Sequence, residues 1–243
     1  MPIPPLAPET LQKRSAQIGG LGIEYMTTPG FASWSSISPA QGLLADSLRR
    51  YPLRRFYVLG CGHGAWLARL LKDSPQAETW YTDPSFAALE SAQATLNING
   101  IQHANASTET SLVQSFKESF NQVALLLPKS RPLARRWLVE AMHCLCTGGE
   151  LFLAGANDLG IQSTARDAQM LFGNQAVLSY KKGNRLLCYQ KTTALPALPA
   201  WANDSGIAPG TFRQLSIQGS DLCLARLPGV FSWDHLDEAT LLL

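Results

Sequence analysis

With 243 residues, 46% of them hydrophobic and 16% charged, the chain can build one large domain or one domain and part of another, which excludes a disordered protein. Its formal net charge of +2 is too small by itself to argue for a nucleic-acid partner. No apolar run approaches the ~20 residues of a membrane span, and residues 1–8 lack the basic-then-apolar pattern of an export signal. The cysteines Cys61, Cys144, Cys146, Cys188 and Cys223 are odd in number, scattered and mostly inside apolar runs, as buried free thiols of a reducing cytoplasm are. Cys144 and Cys146 have no second Cys/His pair at zinc spacing, so no metal centre is expected.

In chain order, residues 9–18 predict a short helix, followed by a turn broken by Gly19, Gly20 and Gly22. Residues 28–34 are a loop with two large aromatics, Phe31 and Trp34; Trp34 either closes over a cleft or anchors its loop on the core. Ser38 and Pro39 supply an N-cap and a first-turn proline for a helix to about residue 50. Residues 56–59 are then an apolar strand that meets Gly60-Cys61-Gly62-His63-Gly64, and a helix-period run follows to Leu71. Glycines let the backbone bend there and approach a ligand, and the free amides of a helix start favour a polar or anionic group.

Residues 78–82 predict a second strand ending at Asp83, and Ser85 caps a helix running to about residue 99, with Gly100 as its C-cap. A weak strand is expected at 101–106 and an apolar one at 122–127, stopped by Pro128. A helix over 131–146, stopped by Gly148 and Gly149, leads to a strand at 151–154 and a helix at 161–172. Strands at 176–180 and 185–190 flank Lys181-Lys182-Gly183-Asn184 as a hairpin. Alternating strands and helices with fully apolar strands imply an α/β fold: a doubly wound, mostly parallel seven-stranded sheet with a terminal antiparallel hairpin.

The domain therefore spans 1–191. Residues 192–212, with Pro196, Pro199 and Pro209 among small residues, read as a linker. Beyond it lies a repeat: residues 29–44 and 228–243 align without a gap at an offset of 199, with seven of sixteen positions identical. The pairs are Pro29/Pro228, Gly30/Gly229, Ser33/Ser232, Trp34/Trp233, Ala40/Ala239, Leu43/Leu242 and Leu44/Leu243, where chance would give roughly one. Residues 213–243 are thus expected to open a second copy of the domain, of which this sequence holds no second glycine turn.

An acid such as Asp83, about twenty residues beyond a glycine turn, can take both ribose hydroxyls of a nucleotide-like ligand. NAD competes as that ligand, but Gly64 is followed by Ala65-Trp66-Leu67 and departs from Gly-x-Gly-x-x-Gly. With the hairpin ending, these residues resemble class I S-adenosylmethionine-dependent methyltransferases. More narrowly, the chain resembles the duplicated bacterial small-subunit ribosomal RNA guanine-N2 methyltransferases of the methyltransferase small domain type. The resemblance rests on Leu227-Pro228-Gly229-Val230-Phe231-Ser232, which matches the family's opening loop, on Gly60 to Gly64, and on Asn97, Asn99 and Gly100 at the end of the second helix.

That resemblance implies S-adenosylmethionine as cofactor, held by Gly60, Cys61, Gly62, His63, Gly64 and Asp83. It also implies ribosomal RNA or the small subunit, and a second methyltransferase copy, as partners. One departure stands out. The family's active copy ends its fourth strand in Asn-Pro-Pro-Phe or a close variant, and here the tetrapeptide is Leu126-Leu127-Pro128-Lys129. Leucine cannot accept a hydrogen bond from a guanine amine and lysine offers no stacking face, so this copy matches the family's non-catalytic N-terminal half. An active enzyme on another acceptor, and a cofactor-free RNA-binding or dimerisation module, are the competing readings. Lys129, Arg131, Arg135 and Arg136, and Lys181, Lys182 and Arg185, read either as phosphate contacts or as a solvated helix face and loop. His63, His103, His143 and His235 show no partner spacing for a metal or a triad.

Overall fold

A computed structural model describes residues 10–108, 111–192, 197–216 and 223–241. The expected helix start at Glu9, residues 193–196 of the expected linker, and Leu242 and Leu243 of the repeat lie outside the described residues. The chain opens with an antiparallel hairpin, β1 (Gln12–Ile18) and β2 (Leu21–Thr27), where a helix is expected. Gly19 and Gly20 both take positive φ (55° and 79°), the two-residue geometry that turns one strand back on the next, and Ile23 and Tyr25 are then drawn into the core. Pairing partners and burial override the local preference of residues 12–18.

The central sheet has the order β5-β4-β3-β6-β7-β9-β8. Its parallel strands are β3 (Arg55–Leu59), β4 (Glu78–Thr82), β5 (Ala104–Ala106), β6 (Phe120–Leu126) and β7 (Leu145–Ala156). The antiparallel hairpin β8 (Ala176–Lys181) and β9 (Asn184–Gln190) closes the edge through β9. Strand side chains alternate between two cores. Phe56 and Val58 face a cluster with α1 (Pro39–Leu48), α2 (Ala65–Asp73) and α3 (Phe86–Ile98), while Tyr57 and Leu59 face α4 (Arg131–Cys144) and α5 (Ile161–Phe172). The fully apolar strands follow from this two-sided burial.

β7 begins as soon as α4 ends, so Gly148 and Gly149 lie within the strand and do not separate helix from strand as expected. The expected linker is in part folded: Ala200–Asn203 form a 3-10 helix beside α4, and Ala202 and Ile207 are buried in the second core. Arg136, 2% exposed, holds this segment by donating from Nη1 to the carbonyls of Gly206 (2.9 Å), Ala208 (3.4 Å) and Thr211 (3.3 Å). A third antiparallel pair, β10 (Arg213–Ser216) and β11 (Cys223–Arg226), and a short helix α6 (Glu238–Leu241) follow.

The repeat is visible in three dimensions and reaches back beyond residues 29–44. Arg14 stacks on Trp34 at 5.0 Å, and Arg213 stacks on Trp233 at 5.5 Å, both pairs separated by the same 199 residues. Ser33 and Ser232, neither of them glycine, share the left-handed φ of 58° and 53°.

Candidate functional site

β3 delivers its chain end into the glycine turn at the C-terminal edge of the parallel strands, where the strand order reverses between β4 and β6. Ligands of doubly wound sheets bind at such a crevice. A cavity of about 940 Å³ opens there. One part is formed by the glycine turn, the start of α1 and the β4 end; the other by the β6 and β7 ends and the β8–β9 turn.

Of the residues expected to hold cofactor, the cavity is lined by Gly60, Gly62 and Asp83. A Cβ on Gly62, whose φ is +56°, would lie 3.1 Å from Gln41 Nε2, and one on Gly60 would lie 3.1 Å from the Leu126 carbonyl oxygen. Both take a positive φ (56° at Gly62, 89° at Gly60), so a side chain at either position is strained as well as crowded. Gly64 serves packing: its Cβ would meet the Ala92 backbone of α3 at 2.9 Å. Cys61 and His63 are fully buried and do not line the cavity. Burial, and then the nearby Asp83, push the Cys61 thiol well above its usual pKa, so it is no nucleophile.

His63 points away from the cavity toward the first hairpin. Its Nδ1 accepts the Ala65 amide (3.3 Å), its Nε2 donates to the Ser36 carbonyl (3.2 Å), and its ring stacks on Tyr25 at 4.4 Å. That pairing sets the neutral tautomer, and burial lowers the pKa despite the backbone hydrogen bonds. The glycine turn is thereby tied to the loop 28–38, which lines the cavity through Phe31 and Ser33. Trp34 does not line it; stacked by Arg14, it anchors the loop.

Asp83 is held by the turn it faces. Oδ2 accepts the Gly62 amide (3.0 Å) and Oδ1 the Ser85 amide (3.0 Å), which orients the carboxylate and leaves each oxygen a lone pair for a ligand hydroxyl. Burial raises its pKa, and the Ser85 and Gly62 amides pull it back.

Leu126, Leu127, Pro128 and Lys129 line the cavity beside the glycine turn. Apolar Leu133 and Trp137 of α4 add to this wall. Neither leucine side chain offers a polar atom. Of the neighbouring asparagines, Asn157 accepts from Arg185 Nε (3.1 Å), and Asn184 donates from Nδ2 to the Lys182 carbonyl (2.9 Å).

The expected basic cluster is mostly consumed within the fold. Arg131 and Arg135 both fork onto Asp167 of α5, with N–O distances of 3.0 and 3.1 Å each, and Arg136 is buried as described. Burial alone would raise the Asp167 carboxyl; the hydrogen bonds and charges of Arg135 and Arg131 outweigh it and hold the pKa below its ordinary value. Arg185 stacks on Tyr180 at 5.1 Å. Lys129 and Lys182 remain at the cavity without an ion pair among the described residues.

Two groups at this site escape the sequence reading. Gln41 closes a capping box with Ser38, for which the Ser-x-x-Gln spacing is a recognisable signal. Gly229 of the repeat also lines the cavity: its Cβ would meet Leu133 at 3.1 Å and Pro84 at 3.4 Å, so the repeated loop is seated on the rim of this cleft. No local signal announces that contact. Among the described residues no helix is long and apolar enough to cross a membrane, and no group of three metal-ligating side chains gathers.

The five parallel strands, the antiparallel closing hairpin and a glycine turn facing an acid at the next strand end define a class I methyltransferase fold. The methyltransferase small domain model matches residues 22–187, and the chain belongs to that family. It is 29% identical over 180 residues to ribosomal RNA small subunit methyltransferase C of Pseudomonas putida, a match covering 74% of this chain and 48% of the relative. It is 24% identical over 183 residues to ribosomal RNA large subunit methyltransferase G of Aliivibrio fischeri, covering 71% and 47%. The chain spans about half the length of these curated relatives. A T. thermophilus 16S rRNA N2 methyltransferase, solved with AdoMet and guanosine, shares the fold with a TM-score of 0.69 at 22% identity, over 95% of this chain and 56% of that one.

Proposed function

We propose that this chain is the first copy, with the opening of a second, of a duplicated S-adenosylmethionine-dependent ribosomal RNA methyltransferase of the guanine-N2 type. In this reading the copy keeps a cofactor site, lacks a competent acceptor site, and serves folding and docking on small-subunit RNA in the cytoplasm. Its partners are that RNA and the second methyltransferase copy, without a membrane or a metal. The cofactor's contribution when bound is an electrophilic methyl group on a sulfonium. Asp83 would accept the two ribose hydroxyls, and Gly60 and Gly62 leave room for the ligand to lie against the turn.

The observation that carries the non-catalytic half of the proposal is Leu126-Leu127-Pro128-Lys129 beside Gly60. A neutral amine must be oriented, and the charge that builds on its nitrogen stabilised, by acceptors that two leucines and a lysine ammonium do not supply. Titration calorimetry with S-adenosylhomocysteine, and methyl transfer from labelled S-adenosylmethionine to small-subunit RNA, test both halves. Binding without transfer is expected, with binding abolished in Gly62→Asp. Robust guanine methylation by these 243 residues would overturn the non-catalytic role. Salt-sensitive RNA binding with no affinity for S-adenosylhomocysteine would replace the proposal by a cofactor-free module.

A further inference from the structure

Gln41 is 1% exposed, and both ends of its side-chain amide can be identified from their surroundings. Its Oε1 accepts the Ser38 backbone N–H at 2.8 Å, closing the capping box at the start of α1. A backbone N–H demands an oxygen, so the other end of the amide is the nitrogen. That Nε2 has no acceptor among the described residues, and it sits 3.1 Å from the place a Gly62 Cβ would occupy, in the cavity that Gln41 and Gly62 both line. Nε2 itself opens onto the cavity, so a ligand that enters there can supply its acceptor.

The position of the donor sets the chemistry of that ligand. The two lysines lining the cavity come from the β6 end and the β8–β9 turn, and no cationic side chain comes from α1 or the glycine turn. Resting on the proposed adenosyl site, Asp83 takes the ribose, and the amino-acid end of the ligand is left for the glycine turn. That end carries an ammonium, which has no lone pair, and a carboxylate, which has several. The geometry points to Gln41 as the donor to the carboxylate of an adenosyl amino acid, and so as the residue that separates such ligands from adenosyl compounds without a carboxylate.

Gln41→Glu tests this without dismantling the helix start, because a glutamate oxygen accepts the Ser38 N–H as well as glutamine does. Only the cavity-facing atom changes, from a donor to an anionic oxygen. Calorimetry would compare S-adenosylhomocysteine with 5′-methylthioadenosine, which shares the adenosine and thioether and lacks the amino acid. The expected result is a Kd for S-adenosylhomocysteine weakened at least about tenfold, with methylthioadenosine unchanged. Gln41→Leu, which loses both the cap and the donor, should weaken S-adenosylhomocysteine and also lower the Tm. Equal loss of both ligands, or no loss, in Gln41→Glu would overturn the assignment while the adenosyl site stands. A wild-type chain that binds neither ligand would overturn the adenosyl site itself.

Discussion

In the opening at residues 12–38, the successive carbonyls of Trp34, Ser35 and Ser36 accept from Thr27 Oγ1 (2.6 Å), Tyr25 Oη (3.2 Å) and His63 Nε2 (3.2 Å). In the opening at 213–237, Arg226, which stands 199 residues after Thr27, reaches the carbonyls of both Ser232 and His235. The first loop is thus held in part by a residue of the glycine turn, and the second by its own hairpin. The first hairpin is also sewn to α3, where Asn99 donates to Glu24 O (2.7 Å) and Thr95 pairs with both the amide and the carbonyl of Met26. Its Tyr25 is 2% exposed, while Leu224, Val230 and Phe231 of the second opening are 38%, 57% and 83% exposed. Equal loop conformations with unequal burial show that the Arg–Trp stack and the left-handed serine belong to the local sequence. The core beneath them does not.

The largest separation between the two openings is expected from truncating equivalent positions. Tyr25→Ala should cost about 3–5 kcal/mol in urea unfolding, and Leu224→Ala within about 0.5 kcal/mol. Similar losses at both would mean that the second opening is as much a part of the core as the first.

Arg136→Met probes what seats the second opening. Losing three carbonyl acceptors should weaken the attachment of residues 204–211 by about 1.5–3 kcal/mol. Limited proteolysis should then cut between residues 197 and 226, while the seven-stranded sheet keeps its circular dichroism. Unchanged protection would show that Gly229 on Leu133 and Trp233 on Gly206 suffice.

A smaller effect is expected from pH, acting on the first opening through His63. The folded state lowers the His63 pKa, so the unfolded chain binds its proton more readily. Stability is then full above the unfolded value of about 6.5 and is lost as pH falls below it. His143, also lowered by burial and by Lys191 and Lys117, adds the same sign, so the comparison is with His63→Asn. The drop in Tm between pH 7.5 and pH 5.5, buffers of roughly one unit either side of that value, should be smaller in the variant. An equal drop would remove His63 from the anchoring of the first loop.

The strand Glu78–Thr82 and the helix Ile161–Phe172 were legible because their boundaries are punctuated locally, the helix by Gly160 and Gly173 in the left-handed region. The glycine turn, the acid after β4 and the closing hairpin were legible for the same reason: spacing and residue type carry them. Residues 12–18 were not, because a strand exists only with its partner, and the Gly19-Gly20 turn supplies that partner. Nor were the roles of the arginines. Arg131 and Arg135 look like a basic surface until α5 brings Asp167 against them, and Arg136 looks solvated until residues 206–211 fold over it. Periodicity and turn chemistry act within a few residues of the chain and write the order of the elements. The partner of each buried charge, and the seating of the repeated loop on the cleft, depend on groups far apart in sequence, which chain packing alone brings together.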